Sequence, residues 1–90
     1  MNFRKERLQG LVAKLLSEEI IRNIEISDAL ITIINVDIDS ELDAARIYVE
    51  VFPDSKHKEA IEILKKKAPS LRSFLSKKIN IRKFPMLVFK

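Results

Sequence analysis

Lys65, Lys66, Lys67, Arg72, Lys77, Lys78, Arg82 and Lys83 are the side chains best suited to chemistry with another molecule, and that chemistry is neutralisation of a polyanion. The last acid is Glu62. Residues 63–90 hold nine Lys/Arg and no Asp or Glu, a formal +9, whereas the residues before them hold eight Lys/Arg and thirteen acids, a formal −5. The overall charge of +4 therefore conceals a strongly polarised molecule. The lysines suit phosphates as mobile point charges, and Arg72 and Arg82 add planar forks capable of bidentate contacts. Ser70, just after Pro69, is a good N-cap. Its hydroxyl and the first free N–H groups of a helix starting there would form a single-phosphate site.

The competing reading of this block is a solvated charged face, but a merely soluble surface intersperses both signs. For Arg82, an ion pair with Glu50 or Asp37 stands level with RNA contact. Tyr48 is expected on the open face of a sheet, where cross-strand packing competes with stacking on a base.

Other chemistries find little support. The chain has no cysteine and one histidine, His57, set among Ser55, Lys56 and Lys58 at the start of a helix, so no metal site and no disulfide are expected. Asp37, Asp39, Glu41 and Asp43 alternate like a calcium loop but lack its glycine and terminal bidentate glutamate, and they read as a turn. There is no glycine-rich phosphate loop, nucleophile elbow or paired-carboxylate motif, so neither an enzyme nor a cofactor is expected.

The elements that must position the basic residues follow from periodicity. Ninety residues with 47% hydrophobic content make a single domain, 1–90, with material for one small core. No apolar run approaches the ~18 residues that span a bilayer, and Met1 to Arg7 lead straight into an amphipathic pattern. A soluble, cytoplasmic protein with no membrane partner is expected.

Leu8, Leu11, Val12, Leu15, Leu16 and Ile20 form the apolar stripe of a first helix, from Phe3 to about Asn23. Its basic start, Arg4, Lys5 and Arg7, would extend the later basic surface if the two meet in space. Residues 31–38 read as a strand, with Ile34, Val36 and Ile38 on its apolar face. Residues 45–51 read as a second strand, antiparallel to the first, with Ala45, Ile47, Val49 and Val51 inward. Asp54 or Ser55 would cap a second helix containing Ala60, Ile61, Ile63, Leu64 and Ala68. Proline at 69 predicts a break or sharp kink after the lysine triplet. A third helix would then bury Leu71, Phe74, Leu75 and Ile79, and residues 84–90 would form a last strand entered through Pro85.

The resulting order, α-β-β-α-(kink)-α-β, is that of an α+β fold resembling the type II KH domain, a three-stranded sheet covered by helices on one face. Two segments carry a closer resemblance. Residues 36–49, ending Ala45-Arg46-Ile47-Tyr48-Val49, resemble the strand, polar turn and Ala-x-x-Tyr-Val segment of the bacterial ribosome-binding factor A family. Arg72-Ser73-Phe74-Leu75, followed by Arg82-Lys83-Phe84-Pro85-Met86-Leu87-Val88-Phe89, is similar to that family's Arg-x-x-Leu and Arg-x-x-Pro-x-Leu-x-Phe signature.

The resemblance implies a small, monomeric assembly factor that binds the immature small ribosomal subunit, contacts its 16S rRNA and leaves before translation. Nucleic-acid-binding KH domains usually carry a Gly-x-x-Gly loop, and the assembly-factor family an Ala-x-Gly kink. Here the corresponding residues are Ala68-Pro69-Ser70, so proline must supply the bend that glycine permits elsewhere. The RNA contacts expected are Lys65, Lys66, Lys67, Ser70, Arg72, Lys77, Lys78, Arg82 and Lys83. The alternative is a protein-interaction module that uses the open sheet face, with a basic patch that binds no RNA.

Overall fold

A computed structural model describes residues 3–81 and 83–90. The first helix, α1 (Phe3–Asn23), buries Val12, Leu16 and Ile20 at a spacing of four, with Leu8 and Leu15 half-buried beside them. Leu11 lies at the margin of this stripe, 41% exposed.

Strands β1 (Leu30–Ile38) and β2 (Ala44–Phe52) pair antiparallel, from Leu30 opposite Phe52 to Ile38 opposite Ala45. The turn between them is closed by its own acids. The Asp39 carboxylate accepts the Asp43 N–H at 2.8 Å, and the Asp39 carbonyl accepts the Leu42 N–H at 3.0 Å. Side chain and backbone of one aspartate thus build the turn, as the polar run predicts. Gln9 of α1 accepts the Ile38 N–H at 2.9 Å, tying the helix to the end of β1.

β1 departs from simple alternation. The register shifts between Ile33 and Asn35, so Ile31 and Ile33 face the core before the shift and Val36 and Ile38 after it. Ile34, expected inward, is the extra residue and is 61% exposed. A bulge reverses the phase of every side chain beyond it, which a strict two-residue period cannot anticipate.

After β2 comes a short 3-10 turn, Asp54–Lys56, and then a single continuous helix, α2 (His57–Ile79), that contains Pro69. Neither Asp54 nor Ser55 caps it, since the residue before the first helical position is Lys56 and makes no side-chain cap bond. The expected pair of separate helices is also corrected. Ala60 and Leu64 precede the proline, Leu71 and Leu75 follow it, and all four are buried on one helix face against the sheet. Burying a leucine contributes about 1.5–3 kcal/mol, so the three leucines outweigh the roughly 3 kcal/mol that an interior proline costs. Helix α2 ends at Asn80, in the left-handed region at φ 60°, whose N–H bonds the Ser76 carbonyl at 2.9 Å.

Strand β3 (Met86–Phe89) then pairs parallel to β2, giving the order β1-β2-β3. The core lies between the helices and one sheet face: Val36 and Ile38, then Ala45, Ile47, Val49 and Val51, then Leu87 and Phe89. The other face presents Asp37, Arg46, Tyr48 and Glu50. Arg46 and Asp37 are directly opposite in register, with charged atoms 3.9 Å apart. Among the described residues no polar or charged side chain is buried, and no helix is long and apolar enough to cross a membrane.

Candidate nucleic-acid interface

The continuity of α2 sets the geometry of the basic block. Eleven residues make about three turns and seven about two, so side chains at those spacings return to nearly the same side of a helix. Lys66 and Lys77 therefore share one row, Lys67 and Lys78 a second, and Lys65 and Arg72 a third. Members of the eleven-residue pairs stand about 16 Å apart along the axis. A broken helix would have freed the triplet from Lys77 and Lys78; the unbroken one carries both groups on a single positive helix. All six of these side chains and Lys83 are exposed.

Two of these cations have local partners. The Lys78 ammonium lies 5.9 Å from the centroid of the Phe74 ring, close enough for a cation–π contact that steadies it on the helix. Arg72 holds the chain after α2: its Nε and Nη2 donate to the Phe84 carbonyl at 3.0 and 2.6 Å. The fork expected to grip phosphate is thus partly engaged inside the protein, although the guanidinium keeps its charge and its remaining N–H donors. The Ser76 hydroxyl donates to the Ile81 carbonyl at 3.2 Å and secures the same segment.

Ser70 lies inside α2, so its backbone N–H belongs to a helix interior and the phosphate site expected at a helix start there does not form. Arg82 lies outside the described residues, and both of its expected roles lie there with it. Tyr48 does lie on the open face, half-buried opposite Asn35, and His57 is an exposed residue at the start of α2.

A concavity of about 390 Å³, which no spacing in the sequence predicts, lies where α2 meets the segment leading into β3, lined by Pro69, Arg72, Ser73, Ser76, Lys77, Lys83 and Phe84. Three of these are cations and two carry hydroxyls; among the described residues no carboxylate side chain lines it. Ser73 and Ser76 follow Pro69 by four and seven residues, a spacing that marks one helix side only once the helix is known to be unbroken. The basic start of α1 also approaches this end, since Arg4 and Lys5 line a crevice with Ile81 and with Asp39, Ser40 and Leu42 of the β1–β2 turn.

A family model described as ribosome-binding factor A matches residues 4–90. A ribosome-binding factor A from Prochlorococcus marinus (strain NATL1A) is 32% identical over 91 residues, covering 97% of this chain and 74% of the relative. A solution structure of a Thermotoga maritima protein assigned to the same factor superposes with a TM-score of 0.84 at 27% identity, covering all of this chain and 90% of that one. A Thermus thermophilus ribosome-binding factor A homology model, fitted into an electron cryo-microscopy map of its complex with the 30S subunit, superposes with a TM-score of 0.80 at 25% identity. It covers 92% of this chain and 89% of its own.

Proposed function

The chain belongs to the ribosome-binding factor A family, and from that membership we propose that it is a non-catalytic maturation factor of the small ribosomal subunit that binds 16S rRNA. The observation that carries this reading is the row geometry of α2, which aligns Lys65, Lys66 and Lys67 with Arg72, Lys77 and Lys78 along one rod. Its mechanism is stoichiometric binding. The lysines displace counterions from rRNA phosphates, and the rigid helix holds the RNA in an intermediate arrangement until maturation alters the surface it grips. The fitted position of the Thermus thermophilus relative in a 30S complex supports the choice of subunit. The protein acts as a cytoplasmic monomer.

Co-sedimentation with purified 30S subunits, 50S subunits and 70S ribosomes tests this. Selective pelleting with 30S subunits, most strongly with immature ones, is expected; equal pelleting with all three would refute it.

One observation favours a second reading, a protein partner on the open sheet face. Leu30 and Phe52 sit opposite one another at one end of the sheet, 63% and 74% exposed. Binding through such a face would be nearly indifferent to salt, whereas binding to phosphates weakens steeply with it.

A further inference from the structure

The end of the molecule remote from Lys77 and Lys78 is apolar and acidic. Arg4 and Lys5 share a crevice with Ile81 and the β1–β2 turn, which puts the start of α1 and the end of α2 at one end of the sheet; the end of α1 meets the start of β1 at the other. The nine residues of β1 separate the two ends by roughly 25–30 Å in a molecule 38 Å long. At the remote end Ile21, Leu30 and Phe52 are 79%, 63% and 74% exposed. They are contiguous. Ile21 and Leu30 line one groove with Ile24, Ile26 and Ile31, and Leu30 stands opposite Phe52 in register. Every side chain lining the groove is apolar, and its volume is about 190 Å³. An apolar hollow of ~150 Å³ holds a benzene ring, so this one admits a single large apolar side chain. The surroundings are anionic: residues 23–55 hold eight acids and one base, a formal −7, and that base, Arg46, is paired with Asp37. Asp28 precedes Leu30 by two residues, Glu50 lies two residues from Phe52 in β2, and both acids are exposed. Arg22, the cation nearest the groove in sequence, is paired with Glu19.

Isolated exposed hydrophobics are ordinary, whereas a contiguous group rimmed by charge marks an interaction surface. We propose that this acid-rimmed groove docks a protein segment that carries one large apolar side chain flanked by lysines or arginines. The apolar side chain enters between the end of α1 and the start of β1 and covers Ile21 and Leu30, while the flanking cations face Asp28 and Glu50. Charge selects the class of partner. The local acids repel nucleic acid and acidic peptides, and they speed the approach of a cationic segment. A second copy of this chain is a poorer occupant, because every large apolar side chain of its cationic helix α2 is buried or half-buried. Its one exposed apolar residue among cations is Leu11, 41% exposed between Arg7 and Lys14 at the margin of the core stripe. The contact is additional to RNA binding and independent of it, since the groove and Lys77 lie at opposite ends and both can be occupied together.

The probe is the synthetic peptide Lys-Ser-Lys-Phe-Lys-Ser-Lys. In amide-resolved NMR of the whole chain it should give saturable shifts at Ile21, Ile24, Leu30 and Ile31. The same peptide with serine in place of phenylalanine, or with glutamate in place of every lysine, should bind about tenfold more weakly or worse. Ile21→Ser/Leu30→Ser should also lose about tenfold, and Asp28→Asn/Glu50→Gln about fivefold with a flatter salt dependence. All four residues are exposed, and asparagine tolerates the positive φ of 57° at position 28, so both proteins should melt close to the unaltered one. Equal peptide binding by Ile21→Ser/Leu30→Ser, or shifts confined to other surfaces, refutes the docking site. Self-association of the unaltered chain in sedimentation equilibrium, abolished by Ile21→Ser/Leu30→Ser, would give the groove to a second copy and overturn the proposal equally. Single-stranded RNA should bind Ile21→Ser/Leu30→Ser within about twofold of the unaltered protein; a tenfold loss of RNA affinity would refute the independence of the two ends. Failure of the peptide with RNA binding intact sinks the docking site alone, and failure of RNA with saturable peptide binding sinks only the RNA reading.

Discussion

Replacing Arg72 by lysine separates its structural and electrostatic roles. The substitution keeps the positive charge but removes the planar fork that places two donors, at 3.0 and 2.6 Å, on the Phe84 carbonyl. A hydrogen bond from a charged donor contributes about 1.5–3 kcal/mol, and a lysine can replace it with at most one poorly aimed bond, so a net loss of about 1–2 kcal/mol is expected. Unfolding entropy near the midpoint is roughly 2.1 cal/mol/K per residue, or about 0.19 kcal/mol/K for 90 residues. The thermal midpoint of Arg72→Lys should thus fall by about 5–10 °C, read by calorimetry or circular dichroism. Affinity for single-stranded RNA at fixed salt should stay within about threefold, because the charge that faces the phosphate remains. The reasoning is refuted if Arg72→Lys melts with the unaltered protein but loses tenfold or more in RNA affinity, since the fork would then serve the RNA and not Phe84.

Four further outcomes are expected. With six lysines engaged (Lys65, Lys66, Lys67, Lys77, Lys78 and Lys83), affinity for single-stranded RNA should fall about 300-fold from ~50 to ~200 mM salt, on a logarithmic slope near −4 in anisotropy titrations. Gly10 lies in the middle of α1, and a methyl group added there meets nothing within 4 Å, so Gly10→Ala should raise stability by about 0.5–1 kcal/mol in urea unfolding. Leu64→Ala, at a fully buried site, should cost about 2–5 kcal/mol by the same measurement. Ile34→Thr should change stability by no more than about 0.5 kcal/mol, whereas Ile38→Thr, which buries a hydroxyl, should cost about 2 kcal/mol or more; equal costs would remove the bulge.

Much of the fold is legible in the sequence because its signals are local. The Val12, Leu16 and Ile20 stripe, the alternation of Ala45, Ile47, Val49 and Val51, and the Asp39 turn each follow from spacing within one element. The errors arose where tertiary packing overruled a local preference. Pro69 predicts a break or sharp kink, yet the positions 60, 64, 68, 71 and 75 keep one helical period through it. That period favours a single helix over a break. Ile34 could not have been placed, because a bulge is fixed by pairing with β2.

The site divides in the same way. The lysines are plain from the absence of acids after Glu62. The role of Arg72 at the Phe84 carbonyl and the hollow beside Ser73 depend on residues that meet only once β3 has folded back along α2.

The most direct test of the central claim, that the α2 rod grips rRNA phosphates, is the dissociation constant for purified 30S subunits measured for two charge-reversed proteins. Lys77→Glu/Lys78→Glu removes four units of charge from the rod, and Glu18→Lys/Glu25→Lys makes a change of the same size and opposite sign far from it in sequence. The account predicts that the first variant loses 30S binding by a hundredfold or more while the second binds within about threefold of the unaltered protein. Undiminished 30S binding by Lys77→Glu/Lys78→Glu would contradict it.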